Sequence, residues 1–89
     1  MLTREGATLK VAGPMNIDSV SALLAQSAGM LDGATLVDLS GVTEADSSAV
    51  SLLLEWRRQL KGAALRFANL PPALKSLADL YGVADLIPQ

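Results

Sequence analysis

The side chains best suited to take part in chemistry belong to three consecutive polar residues, Asp46-Ser47-Ser48, directly before an apolar stretch. A carboxylate and two hydroxyls there can accept hydrogen bonds from the free amides of a helix's first turn, and the negative charge suits the positive end of the helix dipole. An exposed serine at that place is also a site where a phosphate would change the local charge by about −1.5 to −2. The spacing fits both a helix cap and a phosphorylation switch and does not choose between them.

Residues that support catalysis or metal binding are otherwise scarce. The chain contains neither cysteine nor histidine, which removes thiol nucleophiles, the commonest general base and most zinc sites. Asp38, Glu44 and Asp46 could suggest a divalent metal. Such sites usually need more oxygen ligands brought together, so we interpret the three residues as solvated loop carboxylates. We therefore expect no catalytic residue, no metal site and no cofactor.

Charge and hydropathy argue against two classes of partner. The net charge of −2 disfavours nucleic acid, because proteins that bind it present strongly basic faces. No apolar run approaches the roughly 20 residues that span a bilayer, and Met1–Lys10 lacks the pattern of a signal peptide. We expect a cytoplasmic protein without direct membrane insertion. The sequence does not decide whether the chain forms a homodimer.

Short apolar runs predict the first strands. Thr8–Val11 alternates polar and apolar residues with the period of a half-buried strand, which Gly13-Pro14 ends. Leu2–Glu5 fits a short hairpin partner of that strand. Ala34–Leu39 is a run of strand length that Ser40-Gly41 punctuates, so it predicts a central strand.

Residues that recur at three- and four-residue steps predict three helices. The first ends around Gly29 or Gly33, and its buried stripe comprises Ile17, Val20, Leu24, Ala28 and Leu31. The second covers about Ser47–Lys61 and is capped by Gly62. The third begins at Pro71-Pro72, where missing amide donors cost nothing. Its predicted buried stripe comprises Leu74, Leu77, Ala78 and Tyr81.

The remaining elements complete an alternation of strands and helices. Ala63–Ala68 predicts a further strand, and Val83–Ile87 a short closing segment. A chain of 89 residues holds one core, so we expect a single domain over residues 1–89. The alternation predicts an α/β fold with right-handed crossovers and a largely covered, mixed sheet of four to five strands with about three α-helices.

The second predicted helix is apolar over more of its circumference than a sheet would cover. One face carries Ala49, Leu52, Leu53, Trp56 and Leu60. Val50 and Leu54 widen the apolar arc to roughly 200°, about twice what an amphipathic surface helix needs. Either a neighbouring element covers the excess, or it is a docking surface in which Arg57 is a binding hot spot. We assign Trp56 to the core.

Two stretches of the chain carry a family resemblance. The run Val37–Val42, followed by Glu44–Leu54, resembles the STAS domain family of sulfate transporters and anti-sigma factor antagonists, and the similarity extends over about Thr8–Pro88. Leu52–Arg58 and Ala78–Pro88 are most similar to the small STAS subunits of Mla-type transporters. The resemblance implies a STAS-like fold and a non-catalytic bacterial subunit. Such a subunit binds the cytoplasmic ATPase of an ABC transporter that maintains outer-membrane lipid asymmetry, peripheral to the inner membrane, while other subunits handle phospholipid.

The resemblance also implies which residues bind the partner. In the transporter subunits the sensitive hydroxyl directly follows the aspartate, here Ser47. In anti-sigma factor antagonists the phosphorylated serine is the second of the pair, here Ser48. Ala49 stands where the family usually has glycine. The residues expected at the partner surface are Thr43, Glu44, Asp46, Ser47, Ser48, Val50, Ser51, Leu54 and Arg57. The alternative function is an anti-sigma factor antagonist switched by a kinase at Ser48, or less readily at Ser47.

Overall fold

A computed structural model of the chain describes residues 1–60 and 65–87. The strands are β1 (Leu2–Glu5), β2 (Thr8–Met15), β3 (Leu36–Ala45) and β4 (Arg66–Ala68). The helices are α1 (Val20–Ser27), α2 (Ser47–Gln59) and α3 (Pro72–Leu80), followed by a 3-10 turn over Ala84–Leu86. The strands lie in the order β1-β2-β3-β4, with β1 antiparallel to β2 and the other pairs parallel. The predicted mixed sheet is confirmed.

The two central strands run further than the sequence predicts. Strand β2 continues past Gly13 to Met15, and β3 continues past Gly41 to Ala45, because the two extensions pair with each other. This pairing requires a glycine in β3. A Cβ atom on Gly41 would lie 2.9 Å from the carbonyl oxygen of Val11. The parallel ladder therefore overrides local signals that are typical of strand ends.

The helices cover only one face of the sheet, which corrects the expectation of a largely covered sheet. The strand side chains that enter the core are Leu9, Val11, Met15, Val37, Leu39 and Phe67. The opposite face carries polar and charged side chains, among them one ion pair and one hydrogen-bonded carboxylate. Lys10 Nζ lies 2.6 Å from Glu5 Oε2. Asp38 accepts hydrogen bonds from Asn69 Nδ2 at 3.0 Å and the Ser40 amide at 2.9 Å, and these bonds lower the pKa of Asp38.

Helix α1 turns a different face inward from the predicted one. Its buried residues are Leu23 and Ser27, whereas Ile17 before the helix is 70% exposed and Leu24 is 37% exposed. The reason lies in α2. Trp56, fully buried as predicted, donates a hydrogen bond from Nε1 to Ser27 Oγ at 2.9 Å. Because a buried indole N–H needs an acceptor, α1 presents Ser27 and the adjacent Leu23 to the core.

The C-terminal part is mostly as predicted. Leu74 and Ala78 of α3 are buried and Leu77 is partly buried, but Tyr81 is 53% exposed, so its assignment to the core is wrong. The predicted capping residue Gly62 and the start of the last predicted strand lie outside the described residues. Within residues 1–60 and 65–87, none of the helices has the length and hydropathy to cross a membrane.

Candidate functional site

Helix α2 begins at a carboxylate that satisfies two separate backbone amides. Asp46 is the N-cap, and its Oδ1 accepts a hydrogen bond from the Ser48 amide at 2.8 Å. Its Oδ2 accepts one from the Ile17 amide at 3.0 Å. The predicted cap is confirmed, and the second bond ties the segment before α1 to the start of α2.

Two further hydrogen bonds hold the same segment in place. Asn16 Nδ2 donates to Glu44 Oε1 at 3.1 Å, and the Asp46 amide donates to the Met15 carbonyl at 3.3 Å. The connection from β2 to α1 is therefore fixed against the junction of β3 with α2. Residues near Ile17 and residues at the start of α2 form one surface, although they are far apart in the sequence.

The environment of Asp46 favours its ionised form. Partial desolvation is the largest single influence and raises its pKa. The hydrogen bonds from the amides of Ile17, Ser48 and Ala49 and from the Ser48 hydroxyl together outweigh it, so the pKa of Asp46 lies below its usual range. The charge also suits the positive end of the helix dipole.

This shift makes a prediction about acid stability. A carboxyl whose pKa is lower in the folded state stabilises the fold at pH values above its unfolded pKa of about 3.9, and that contribution is lost as the pH falls through the folded value. Asp46→Asn keeps one acceptor oxygen for Ser48 but loses the charge and the acceptor for Ile17. We expect Asp46→Asn to be less stable than the wild type at neutral pH, with the difference shrinking at about pH 3. Urea unfolding of both proteins at the two pH values measures the difference in their free energies of unfolding. A difference that does not change with pH would contradict the prediction.

The first two turns of α2 form a ridge between two open grooves. Ser47 and Ser51 are exposed on the ridge, and Ser48 is half-buried. The α1 groove, of about 380 Å³, is lined by Ile17, Val20, Ser21, Leu24, Ser48, Ser51, Leu52 and Glu55. The α3 groove, also of about 380 Å³, is lined by Ser47, Ser48, Val50, Ser51, Leu54, Tyr81 and Val83. Ser48 and Ser51 border both grooves, so a change at either residue affects both.

The structure brings most of the expected partner-binding residues together. Five of them line the α3 groove: Ser47, Ser48, Val50, Ser51 and Leu54. Val50 is only 4% exposed and forms part of the groove floor, so it offers a partner little surface; Leu54 is half-buried. The domain itself thus covers much of the excess apolar arc, and the rest is accessible beside the ridge.

The other expected residues lie at the margins. Thr43 and Glu44 are exposed at the end of β3, and Asp46 is occupied as the cap. Arg57 is exposed one helical turn beyond Leu54 and has no ion-pair partner among the described residues. Within that part of the chain no three carboxylates come close enough to hold a metal ion.

Sequence reasoning missed three residues of this surface, because Ile17, Leu24 and Tyr81 were all assigned to the core. Each borders one of the grooves. Helical periodicity could not separate Leu24 from Leu23, because both are leucines and adjacent. The residue that indicates the buried face of α1 is Ser27, because its hydroxyl accepts the hydrogen bond of the Trp56 indole.

Comparison with known proteins identifies the family of this fold. A family model described as "Mlab, STAS domain" matches residues 1–88. Among solved structures, the anti-sigma factor antagonist SpoIIAA in its unphosphorylated form has a TM-score of 0.70 and 20% identity, with 98% of this chain and 84% of that chain covered. The phosphorylated form of SpoIIAA, a Bacillus cell fate determinant, has a TM-score of 0.63 and 20% identity over 98% and 86% of the two chains. No curated protein matches.

Proposed function

We propose that this chain, which belongs to the STAS domain family, is a non-catalytic accessory subunit that binds the cytoplasmic ATPase of an Mla-type phospholipid ABC transporter. It supports assembly and activity of the transporter, and it is held at the inner membrane through the complex. The observation that carries the proposal is the serine ridge of α2, exposed between two apolar grooves. The MlaB-like description of the matching family model supports the choice of partner.

The chemistry of the ridge suits binding better than catalysis. A serine nucleophile needs an adjacent base. The nearest carboxylate, Asp46, is committed to the amides of Ile17 and Ser48. Glu55, further along α2, accepts hydrogen bonds from Nε and Nη2 of Arg58. The Ser48 hydroxyl also interacts with Asp46, but the lowered pKa of that carboxyl group makes it a weak base. The same hydrogen bonds keep the shape of the ridge rigid.

A rigid ridge of small residues fits a protein partner for two physical reasons. Serine side chains let another backbone approach closely, and their hydroxyls can both donate and accept hydrogen bonds. The apolar walls supply the buried area, because well-packed pockets with an arginine nearby are typical of binding hot spots. Arg57, exposed beside Leu54, meets that description.

Co-purification tests the proposal. The tagged chain is co-expressed with the ATPase subunit of the Mla-type transporter from the same bacterium. The control is the ATPase of an unrelated ABC importer. We expect a stoichiometric complex with the first ATPase and none with the second. Failure to form a complex with the Mla-type ATPase, with both proteins folded, would contradict the proposed partner.

A second candidate function is a phosphorylation switch at Ser48 in an anti-sigma pathway. Ser48 borders both grooves, and its hydroxyl interacts with the Asp46 carboxylate. A phosphate there would add about −1.5 to −2 charge beside that carboxylate and would change both binding surfaces.

Intact-mass measurement tests this alternative. The chain is incubated with the anti-sigma kinases of its own bacterium, with Ser47→Ala and Ser48→Ala as paired variants. The switch predicts addition of one phosphate to the wild type and to Ser47→Ala, and none to Ser48→Ala. Equal phosphorylation of Ser48→Ala would remove Ser48 from this role.

A further inference from the structure

The α1 groove differs from the α3 groove in the charge around it. Glu55 lines it, Asp18 follows Ile17 at its end, and Glu44 is bonded to Asn16 beside it. Among the described residues the cation nearest to this rim along α2 is Arg58, which is paired with Glu55. Because Arg58 neutralises Glu55, the net negative charge at the rim comes from Asp18 and Glu44, which flank the groove next to Ile17 and Asn16. Beside the α3 groove, on the face of α2 that carries Leu54, is Arg57, which forms no ion pair with any residue that the structure describes.

The interior of the α1 groove is apolar and accessible. Its walls are formed by Ile17, Val20 and Leu24 on one side and Leu52 on the other. Ile17 is 70% exposed, an unusual position for a branched aliphatic side chain. A volume of about 380 Å³ accommodates more than one aliphatic side chain of a partner.

Ile17 is exposed and yet held in place. Its amide is bound by Asp46 Oδ2, and the preceding Asn16 is bound by Glu44. Because the backbone is already fixed, a partner that packs against Ile17 does not have to order it, and less conformational entropy is lost on binding. A preorganised apolar contact is the kind of residue that dominates binding energy.

We propose that the α1 groove receives an amphipathic helix of the partner, with aliphatic side chains on its inner face and lysine or arginine on its flanks. The inference rests on the proposed function for the source of that helix, which is the ATPase subunit. Helices of this kind bind grooves through apolar residues spaced by three and four. Basic flanks match the acidic rim, and complementary charge selects the partner and accelerates its association.

A peptide titration tests the ligand chemistry without the ATPase. The probes are two peptides with the same leucine positions, one with lysine and one with glutamate at the polar positions. Amide NMR shifts of the labelled chain are followed during titration. We expect the leucine-lysine peptide to shift Ile17, Leu24, Ser51 and Glu55, and to bind at least about tenfold tighter than the leucine-glutamate peptide. Equal binding of the two peptides, no binding, or shifts on the open sheet face would overturn the inference.

Variants sharpen the same test. Ile17→Ser is expected to weaken binding of the leucine-lysine peptide about tenfold, and Asp18→Lys to weaken it several-fold at low salt. Asp32→Lys, at an exposed acidic residue after α1, is the matched control and should leave binding unchanged. Wild-type affinity in Ile17→Ser would overturn the inference.

The two proposals fail in different ways. If the ATPase co-purifies but the leucine-lysine peptide does not bind, the groove inference is wrong and the accessory function stands. If the peptide binds in the groove but the ATPase does not co-purify, the ligand chemistry stands and the assignment of the ATPase as its source is wrong.

Discussion

Leu54→Asp and Ser47→Arg are each expected to abolish capture of the ATPase subunit while the domain stays folded. Leu54 is half-buried in the wall of the α3 groove, and Ser47 is exposed on the ridge beside it. An aspartate in a closed apolar interface has no counter-ion, and an arginine on the ridge prevents close approach. Losses of at least 2 kcal/mol are usual at such central positions, which corresponds to about a thirtyfold weaker complex.

Matched substitutions outside the grooves show whether a loss of ATPase capture is specific to this surface or follows from any such substitution on the domain. Leu86→Asp replaces a leucine that is exposed, and Ser76→Arg replaces another exposed serine. Neither residue lines a groove. Both controls should co-purify like the wild type. Circular dichroism of all four variants establishes that they are folded. If Leu54→Asp and Ser47→Arg also co-purify normally, the partner does not use this surface.

Trp56→Ala is expected to leave the chain largely unfolded at 25 °C. Trp56 is fully buried and bridges α2 to α1 through Ser27. Truncation of a buried tryptophan costs about 3–5 kcal/mol, because it removes apolar contacts and leaves a cavity. A single core of this size seldom supplies more than about 3–5 kcal/mol in total. The substitution therefore removes most of the free energy of unfolding. Far-UV circular dichroism and urea titration measure this loss.

A second variant separates the contribution of the Trp56 hydrogen bond to stability from the contribution of its ring. Ser27→Ala keeps the indole but removes its acceptor, and an unsatisfied buried donor costs about 1–3 kcal/mol. We expect Ser27→Ala to unfold cooperatively at a lower urea concentration than the wild type. A Trp56→Ala protein with the wild-type midpoint would show that the described packing of α1 against α2 does not stabilise the fold.

The order and type of the elements followed from sequence pattern, and their lengths did not. Strand β3 continues through Gly41, although the local sequence predicts that the strand ends there. It continues because β2 lies alongside and only a glycine fits next to the Val11 carbonyl. Pairing between distant strands is a tertiary effect that no local signal encodes.

The candidate site was predictable on one side only. Ser47, Ser48, Ser51 and Leu54 are close in sequence, so the helical periodicity of α2 and the resemblance to STAS domains together were enough to group them. The contribution of Ile17 depends on a hydrogen bond to Asp46 across 29 residues. Only the fold reveals that contact, which is why the α1 groove was not foreseen.

Hydrogen exchange of the complex tests the central claim most directly, because it reports both binding and its location. The chain is measured alone and with the Mla-type ATPase subunit. We predict that added protection concentrates in residues 43–54, with further protection around Ile17–Leu24. Protection confined to the open face of the sheet, or no change when the ATPase is added, would contradict the claim that a partner protein holds the serine ridge of α2.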